Sequence, residues 1–189
     1  VLDANTSYYW RVRSLNACGS GSNSSTRTFT TLNSYCFIGP LSVPDNNPTG
    51  VNATITIPAG QGNVSAANMS IDVTHTYIGD LVLRVSHGAA AANIISQPGG
   101  CGADNIHAKF FDAASGSPNS CAASSPAISG EVRPSQAFST FDGVAYEGTW
   151  TLNVSDRAGA DVGTLDSWCI DLPTQISDVI FADGFETID

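Results

Sequence analysis

Three aspartates spaced five residues apart lie in the stretch SDRAGADVGTLDSW, residues 155–168. They are Asp156, Asp161 and Asp166, and glycines lie between them. Carboxylates in such a stretch can serve general acid–base catalysis, bind a metal ion or accept hydrogen bonds in turns. Each use requires different partner residues, and those partners can be sought in the rest of the chain.

Motifs for peptide or ester hydrolysis are absent from the sequence. A serine nucleophile in an α/β-hydrolase follows the pattern GxSxG, and zinc peptidases carry HExxH; neither pattern occurs. The chain has three histidines, His75, His87 and His107. His75 and His87 end segments that predict strands, where a histidine is expected to hydrogen-bond in a turn. The sequence therefore favours no hydrolytic centre.

Glycoside hydrolysis requires a pair of carboxylates on either side of a sugar-binding cleft. Four side chains could supply the pair: Asp142, Glu147, Asp156 and Asp161. Such a cleft is lined by aromatic residues, and the chain has only three tryptophans. Trp150 alternates with Leu152 and Val154, which predicts a core position rather than a sugar platform. Trp168 has the same ambiguity.

A hard cation is the third option for the aspartates. Calcium takes about six to eight oxygen ligands from carboxylates and loop carbonyls, and glycine lets the backbone turn its carbonyls toward the ion. The segment DRAGADVG supplies both ingredients without the spacing of an EF-hand. Asp156 and Asp161 would then be two ligands of a composite site, or they would accept hydrogen bonds in turns, as we expect of Asp166.

Charge and hydropathy exclude two classes of partner. Seven basic and seventeen acidic residues give the 189-residue chain a net charge of −10 and a pI near 4.3, which repels nucleic acid and anionic lipid. No apolar run approaches the roughly 18 to 20 residues that cross a bilayer, so no membrane span is expected. The chain opens on strand-like sequence, and we expect it to be a piece of a longer protein.

Five cysteines occur without a CxxC pair, and lysine is scarce, which favours an exported, oxidised protein. Cys101 and Cys121 flank a Gly/Ser/Asn-rich excursion and would close its base. Cys36 and Cys169 lie at opposite ends of the acidic region, in segments that neighbouring strands could bring together. Cys18 is then unpaired or competes for Cys36.

The first 32 residues predict a β-hairpin. Tyr8, Trp10 and Val12 alternate with polar residues, the chain turns through Gly, Ser and Asn, and TRTFTT resumes the alternation. This pattern resembles the last two strands of a fibronectin type III module. Two strands of such a sandwich leave an apolar face and an unpaired edge. Either the module is incomplete because the sequence is truncated, or another copy of the chain covers the exposed edge by strand addition.

Residues 33–189 carry all of the excess acidity, a net −12 against +2 for residues 1–32. Segments of alternating or β-branched character recur between Gly, Pro, Asn and Asp turns, and SHGAAAANII, residues 86–95, is the single helix candidate. The pattern predicts an all-β sandwich of jelly-roll type over residues 33–174, followed by a tail at 175–189.

Several motifs in residues 42–172 occur in a familiar order: VPDNNPTG, VTHTYIGDLVLRV, FFDAA, FDG and GTWTLNVSDRAGADVGTLDSWCIDL. Together they resemble the P domain, or Homo B domain, of the proprotein convertases and many secreted bacterial proteases. The resemblance implies a non-catalytic jelly-roll sandwich that lies C-terminal to a protease catalytic domain, stabilises it and in some members engages substrate. It also implies a secreted protein.

The same resemblance favours calcium, because bacterial members are associated with that ion. It implies one set of candidate ligands in the matching motifs: Asp45, Asp80, Asp112, Asp156 and Asp161. The parent enzyme would be a subtilisin-like or a metallo-endopeptidase. Two alternatives stay open, a carbohydrate- or matrix-binding module and an extracellular subunit that assembles by strand addition.

Overall fold

The computed structural model describes residues 7–16, 19–30 and 33–172. The chain divides into two compact units, one made of Val1–Asn33 with Pro173–Asp189 and the other of Ser34–Leu172. The predicted tail at 175–189 and Cys18 lie outside the described residues. The boundaries at 32 and 174 stay a prediction.

The described residues of the first unit form four short strands in two antiparallel pairs. The strands are β1 (Ser7–Trp10), β2 (Arg13–Asn16), β3 (Gly19–Asn23) and β4 (Arg27–Thr30). β1 pairs with β4 and β2 pairs with β3, as in one long hairpin with an interruption near its middle. Tyr8 stacks on Phe29 across the outer pair, with ring centroids 5.7 Å apart. The predicted hairpin is confirmed.

The second unit is a sandwich of two sheets. Its strands are β5 (Asn33–Val43), β6 (Val51–Ile57), β7 (Asn68–His75), β8 (Leu81–His87), β9 (Ala90–Ser96), β10 (Ile106–Phe110), β11 (Ile128–Val132), β12 (Gly148–Asp156) and β13 (Gly163–Leu172). One sheet has the order β11-β10-β7-β13-β5 and the other has the order β6-β12-β8-β9. The all-β fold class is therefore confirmed.

Alternating residues of both sheets form the core. Trp150 in the four-stranded sheet and Trp168 in the five-stranded sheet are both fully buried, as are Leu83, Met69 and Ile170. Burial of apolar surface at about 25 cal/mol per Å² is the dominant stabilising term for such a core. The tryptophans therefore belong to the core.

Two disulfides join Cys36 to Cys169 and Cys101 to Cys121, with Cα atoms 4.1 Å and 5.4 Å apart. Both predicted pairings are confirmed. The first bond links β5 to its neighbour β13, and the second closes an excursion of 20 residues that contains β10.

The segment SHGAAAANII forms a hairpin rather than a helix, so that prediction is wrong. β8 turns through Gly88, at φ 57°, and Ala89 into β9, whose Ala90 pairs with His87. Ala92 and Ile94 point into the core. Alanine favours helices in isolation, but pairing with β8 and burial of the alternate side chains override that weak preference.

Four of the loops that cross between the two sheets lie at one end of the sandwich. They are residues 44–50, 76–80, 97–105 and 157–162, and they connect β5 to β6, β7 to β8, β9 to β10 and β12 to β13. The strand registers place them together, because Val154 pairs with Val51, Asp156 with Leu81 and Gly163 with His75. We call this end the crossover end.

Candidate functional site

The crossover end gathers four of the five predicted metal ligands. Asp45 lies in the loop 44–50, Asp80 ends a short 3₁₀ helix at Ile78–Asp80, Asp156 ends β12, and Asp161 lies in the loop 157–162. These loops are tied together through the backbone, since the Arg157 N–H donates to the Asp80 carbonyl at 3.0 Å. The fold thus brings together residues that the sequence separates by more than 100 positions.

Asp156 is the most deeply buried of the four. Its side chain has no exposed surface, and its Oδ1 accepts the Ala158 N–H at 3.1 Å. Its Oδ2 lies 3.4 Å from Nε2 of the equally buried His75, and neither atom forms a hydrogen bond with a described group. A buried carboxylate oxygen without a hydrogen bond is costly, so this oxygen is the strongest indication of a ligand at the crossover end.

The pKa of Asp80 reflects the charges of its neighbours at the crossover end. Burial raises the pKa of its carboxyl, the charges of Asp156 and Asp161 raise it further, and His75 opposes them. Asp156 and Asp161 therefore each repel the charged form of Asp80. A bound cation would remove that repulsion.

Asp161 and Asp45 hold the loop 157–162 in place. The Thr76 hydroxyl donates to Asp161 Oδ1 at 2.9 Å, which joins this loop to the β7–β8 crossover. The Ala160 N–H points to Asp45 Oδ2 at 3.4 Å, which joins it to the β5–β6 crossover. Ala160 has a positive φ of 88°, so the backbone turns sharply between the two contacts.

Asp112 lies apart from the other four. It follows β10 at the end where β7 begins, since Phe110 pairs with Met69, whereas the crossover end lies where β7 ends. Its two oxygens accept the N–H groups of Phe138 at 2.7 Å and Ser139 at 2.9 Å, at the start of the 3₁₀ helix Phe138–Phe141. Its described contacts are those of a capping residue.

Asp166 does not cap a turn, so that expectation is wrong. It lies inside β13, where the register with β7 shifts between Leu165 and Ser167. Its carboxylate accepts the hydroxyls of Thr74 and Thr164, each at 2.7 Å. The bulge adds one residue to β13, and Asp166 uses that position to bond across to β7.

A His–Asp–Ser row crosses the outer face of the five-stranded sheet. His107 Nδ1 and the Ser167 hydroxyl both bond to Asp72, on three neighbouring strands. In a catalytic triad the histidine lies between the serine and the carboxylate, so that it can take the serine proton. Here the carboxylate lies in the middle, and the row holds strands together instead of activating Ser167.

The crossover end is not a preformed metal centre. Among residues 7–16, 19–30 and 33–172, no three His, Cys, Asp or Glu side chains converge closely enough to hold an ion. The carboxylates interact at a distance, as the pKa of Asp80 shows, and they bond to loop amides and hydroxyls. An ion would have to draw two or more of them inward.

His75, Thr76 and the backbone of the loop 157–162 were not predicted from the sequence as parts of this site. His75 and Thr76 occur in HTYIGD, immediately before the predicted ligand Asp80, so proximity in sequence was a usable signal. The contact of His75 with Asp156 gave no such signal, because 81 positions separate the two residues.

The fold and this site define a disulfide-bonded, all-β module. Residues 64–172 match the family model of the proprotein convertase P-domain, which covers more than half of the chain. The chain therefore belongs to the proprotein convertase P-domain family.

Two of the curated relatives of this chain are named calcium-dependent proteases, and a third is named a leupeptin-inactivating enzyme. It is 29% identical over 117 residues to a calcium-dependent protease of Trichormus variabilis, covering 60% of this chain and 15% of the relative. It is 30% identical over 132 residues to leupeptin-inactivating enzyme 1 of Streptomyces exfoliatus, covering 69% of this chain and 24% of the relative. A calcium-dependent protease of a Nostoc species matches at 27% over 140 residues. The chain thus spans about a quarter or less of these relatives.

Solved structures similar to this chain are those of the Aeromonas sobria serine protease, alone and with its chaperone. Each matches with a TM-score of 0.47 and 11% identity over 86% of this chain and 36% of the protease. This similarity is too low to support a functional comparison. In the described part of the chain, no helix is long and apolar enough to cross a membrane.

Proposed function

We propose that this chain is a non-catalytic accessory domain of an exported bacterial protease, and that it stabilises the catalytic domain of that parent enzyme. Family membership and the protease relatives support this proposal. The small share of each relative that the chain covers is consistent with one module of a longer protein. Two disulfides favour a secreted location. The catalytic domain would be of the serine or metallo type, and the module could also engage protein substrate.

The second part of the proposal is a structural calcium ion at the crossover end, held by Asp45, Asp80, Asp156 and Asp161. The single observation that carries it is the buried, unbonded Oδ2 of Asp156. Asp80 and Asp161 lie near it, since the charges of Asp156 and Asp161 both raise the pKa of Asp80. Asp112 stays a predicted ligand, but its bonds to backbone amides on another part of the sandwich do not support a place in this site.

The residues fit calcium better than a transition metal. Oxygen donors from carboxylates and loop carbonyls suit a hard cation, whereas zinc and copper favour histidine and cysteine. All four cysteines in the described residues are in disulfides. Calcium also tolerates irregular geometry, which suits ligands that come from three separate loops. A bound ion would neutralise the repulsion among the carboxylates and fix those loops.

Calcium titration of the full 189-residue chain tests this part. Binding to the folded state alone raises stability by about 2.7 kcal/mol at a calcium concentration about 100 times Kd. We expect the thermal midpoint to rise with calcium and not with magnesium, which is smaller and gives up its water reluctantly. An unchanged midpoint together with a flat calorimetric titration would remove calcium from the proposal.

Two variants locate the ion. Asp80→Asn should abolish the calcium response and raise the stability of the calcium-free protein, because it removes a carboxylate that its neighbours repel. Glu147→Gln removes one exposed negative charge from outside the crossover end and serves as the control. If the calcium response falls equally in both variants, the ion is attracted by the net negative charge of the chain rather than bound at this site.

The accessory role is tested on the full-length parent enzyme. Deleting residues 34–172 should reduce the yield and the thermal lifetime of folded protease, while kcat per folded molecule on a short peptide changes little. A selective loss in kcat with full yield would instead indicate that the module forms part of the active site.

A carbohydrate-binding role has lost its main support. Trp150 and Trp168, the aromatic residues that could have formed a sugar platform, are fully buried. The fibronectin type III origin of the first unit and its strand addition to another copy of the chain stay predictions. Exposed Tyr9, Val12 and Leu15 on the hairpin are consistent with an apolar surface there.

A further inference from the structure

His75 is a buried histidine with an unusual set of neighbours. It is the last residue of β7, has no exposed surface and lies between the backbone of Tyr77 and the carboxylate of Asp156. Its Nδ1 faces the Tyr77 N–H at 3.2 Å and the Tyr77 carbonyl oxygen at 3.0 Å. Its Nε2 faces Asp156 Oδ2.

A neutral ring can satisfy only one of the two Tyr77 groups, and the position of Asp156 determines which one. If Nδ1 carried the proton, the bare Nε2 would present its lone pair to a carboxylate oxygen 3.4 Å away. If Nε2 carries it, the N–H faces Asp156 Oδ2 at that distance, although the alignment is too poor for a hydrogen bond, and Nδ1 accepts the Tyr77 N–H. The carboxylate therefore favours a proton on Nε2, whether the ring is neutral or charged.

Packing fixes the position of the ring. Gly163, the first residue of β13, lies directly against it, and a Cβ at that position would come within 2.5 Å of the His75 Cδ2. The same Cβ would collide with the carbonyl oxygen of Thr74. Only glycine allows β13 to approach this closely, so the Nε2–H keeps one direction.

We infer that His75 is the positioning residue of the cation site, acting through Asp156. This inference rests on the proposed calcium site. The Ala158 N–H donates to Oδ1 of Asp156, and the Nε2 edge of the fixed His75 ring lies 3.4 Å from Oδ2, where it limits the rotation of the carboxylate without forming a hydrogen bond to that oxygen. Both oxygens are then constrained before an ion arrives, and the carboxylate does not have to lose rotational freedom on binding. Partners of this kind commonly change metal affinity by about 10–100-fold when removed.

Terbium and calcium binding to the full chain test this role. Luminescence lifetimes of bound Tb³⁺ in H₂O and D₂O count the water molecules on the ion, and calorimetry with Ca²⁺ gives Kd. His75→Leu keeps the volume and removes the donor, whereas His75→Gln keeps an N–H near the position of Nε2. We expect about one additional water on Tb³⁺ and a Ca²⁺ Kd raised by about 10-fold or more in His75→Leu, with most of both effects reversed in His75→Gln.

The outcomes distinguish the positioning role of His75 from the calcium site on which it depends. If the wild-type chain binds Ca²⁺ and His75→Leu keeps both the wild-type water count and Kd, His75 has no positioning role and the calcium site stands. If the wild-type chain shows no saturable binding of either ion, the calcium proposal and the inference both fall. A role confined to packing would lower the melting temperature of His75→Leu without changing the water count. If His75→Leu does not fold, the shorter donor in His75→Asn replaces it, and an unchanged water count in that variant overturns the inference.

Discussion

The two disulfides should stabilise the chain by different amounts, because they close loops of different length. Cys36–Cys169 spans 133 positions and Cys101–Cys121 spans 20. The loop-entropy relation gives about 5 kcal/mol for the longer loop and about 3 kcal/mol for the shorter one at 25 °C. Replacing Cys36 and Cys169 with alanine should therefore destabilise the calcium-free chain by about 2 kcal/mol more than replacing Cys101 and Cys121.

The loss of calcium affinity should follow the opposite order, with the larger loss in the variant that lacks the Cys101–Cys121 bond. The Gly79 N–H donates to the Cys101 carbonyl at 2.8 Å, and the Ile78 N–H donates to the Ala103 carbonyl at 3.3 Å. The shorter disulfide thus supports the 3₁₀ helix that carries Asp80. Cys36 and Cys169 lie along β5 and β13, away from that helix.

Urea unfolding with a chelator measures the first effect, and calorimetry with calcium measures the second. Both cysteines of a pair are replaced together, so that neither variant leaves an unpaired partner that could bond to Cys18. Equal losses of stability, or a larger loss for the shorter loop, would refute the entropic reasoning. Equal calcium affinities in the two variants would refute the link between the excursion and Asp80.

Three further predictions concern single residues. Burial and then Asp142 raise the pKa of Tyr146 to about 12, so the folded protein should lose stability as the pH rises from about 10 to 12; Tyr146→Phe should remove that slope in urea unfolding, and an unchanged slope would contradict it. Asp112→Asn should lower stability by about 1 kcal/mol, with calorimetric calcium affinity unchanged; a loss of affinity would place Asp112 among the ligands. Leu15→Lys should abolish any concentration-dependent association in light scattering, whereas persistence of the larger species would exclude the hairpin as its cause.

Strand positions were predictable where burial follows a period of two. VNATITI buries Ala53, Ile55 and Ile57 and exposes the residues between them, and this alternation is visible in the sequence. The pairing of Cys36 with Cys169 was favoured for a related reason, since both occur in strand-like segments at the two ends of the acidic region, although Cys18 remained a competing partner until the structure joined them. Long, regular elements carry enough local signal to be identified.

Contacts between distant loops carried no such signal. The unbonded pair of His75 and Asp156 depends on the approach of β7 to β12 at the crossover end, and neither residue predicts the other locally. Asp166 acts across a bulge whose position depends on the pairing of β13 with β7. Ala90 and Ala91 form part of a strand because they pair with β8. The helix preference of alanine gives no information about that pairing.

The gathering of four sheet crossings at one end has a consequence for the resistance of the module to proteolysis. The two sheets cannot separate at this end unless these loops move, because the loops connect opposite layers of the sandwich. An ion held among them would make both layers open together or not at all. If the proposed calcium ion binds there, its withdrawal would free the loops 44–50 and 157–162, and the supply of the ion would affect how long the module survives proteolysis.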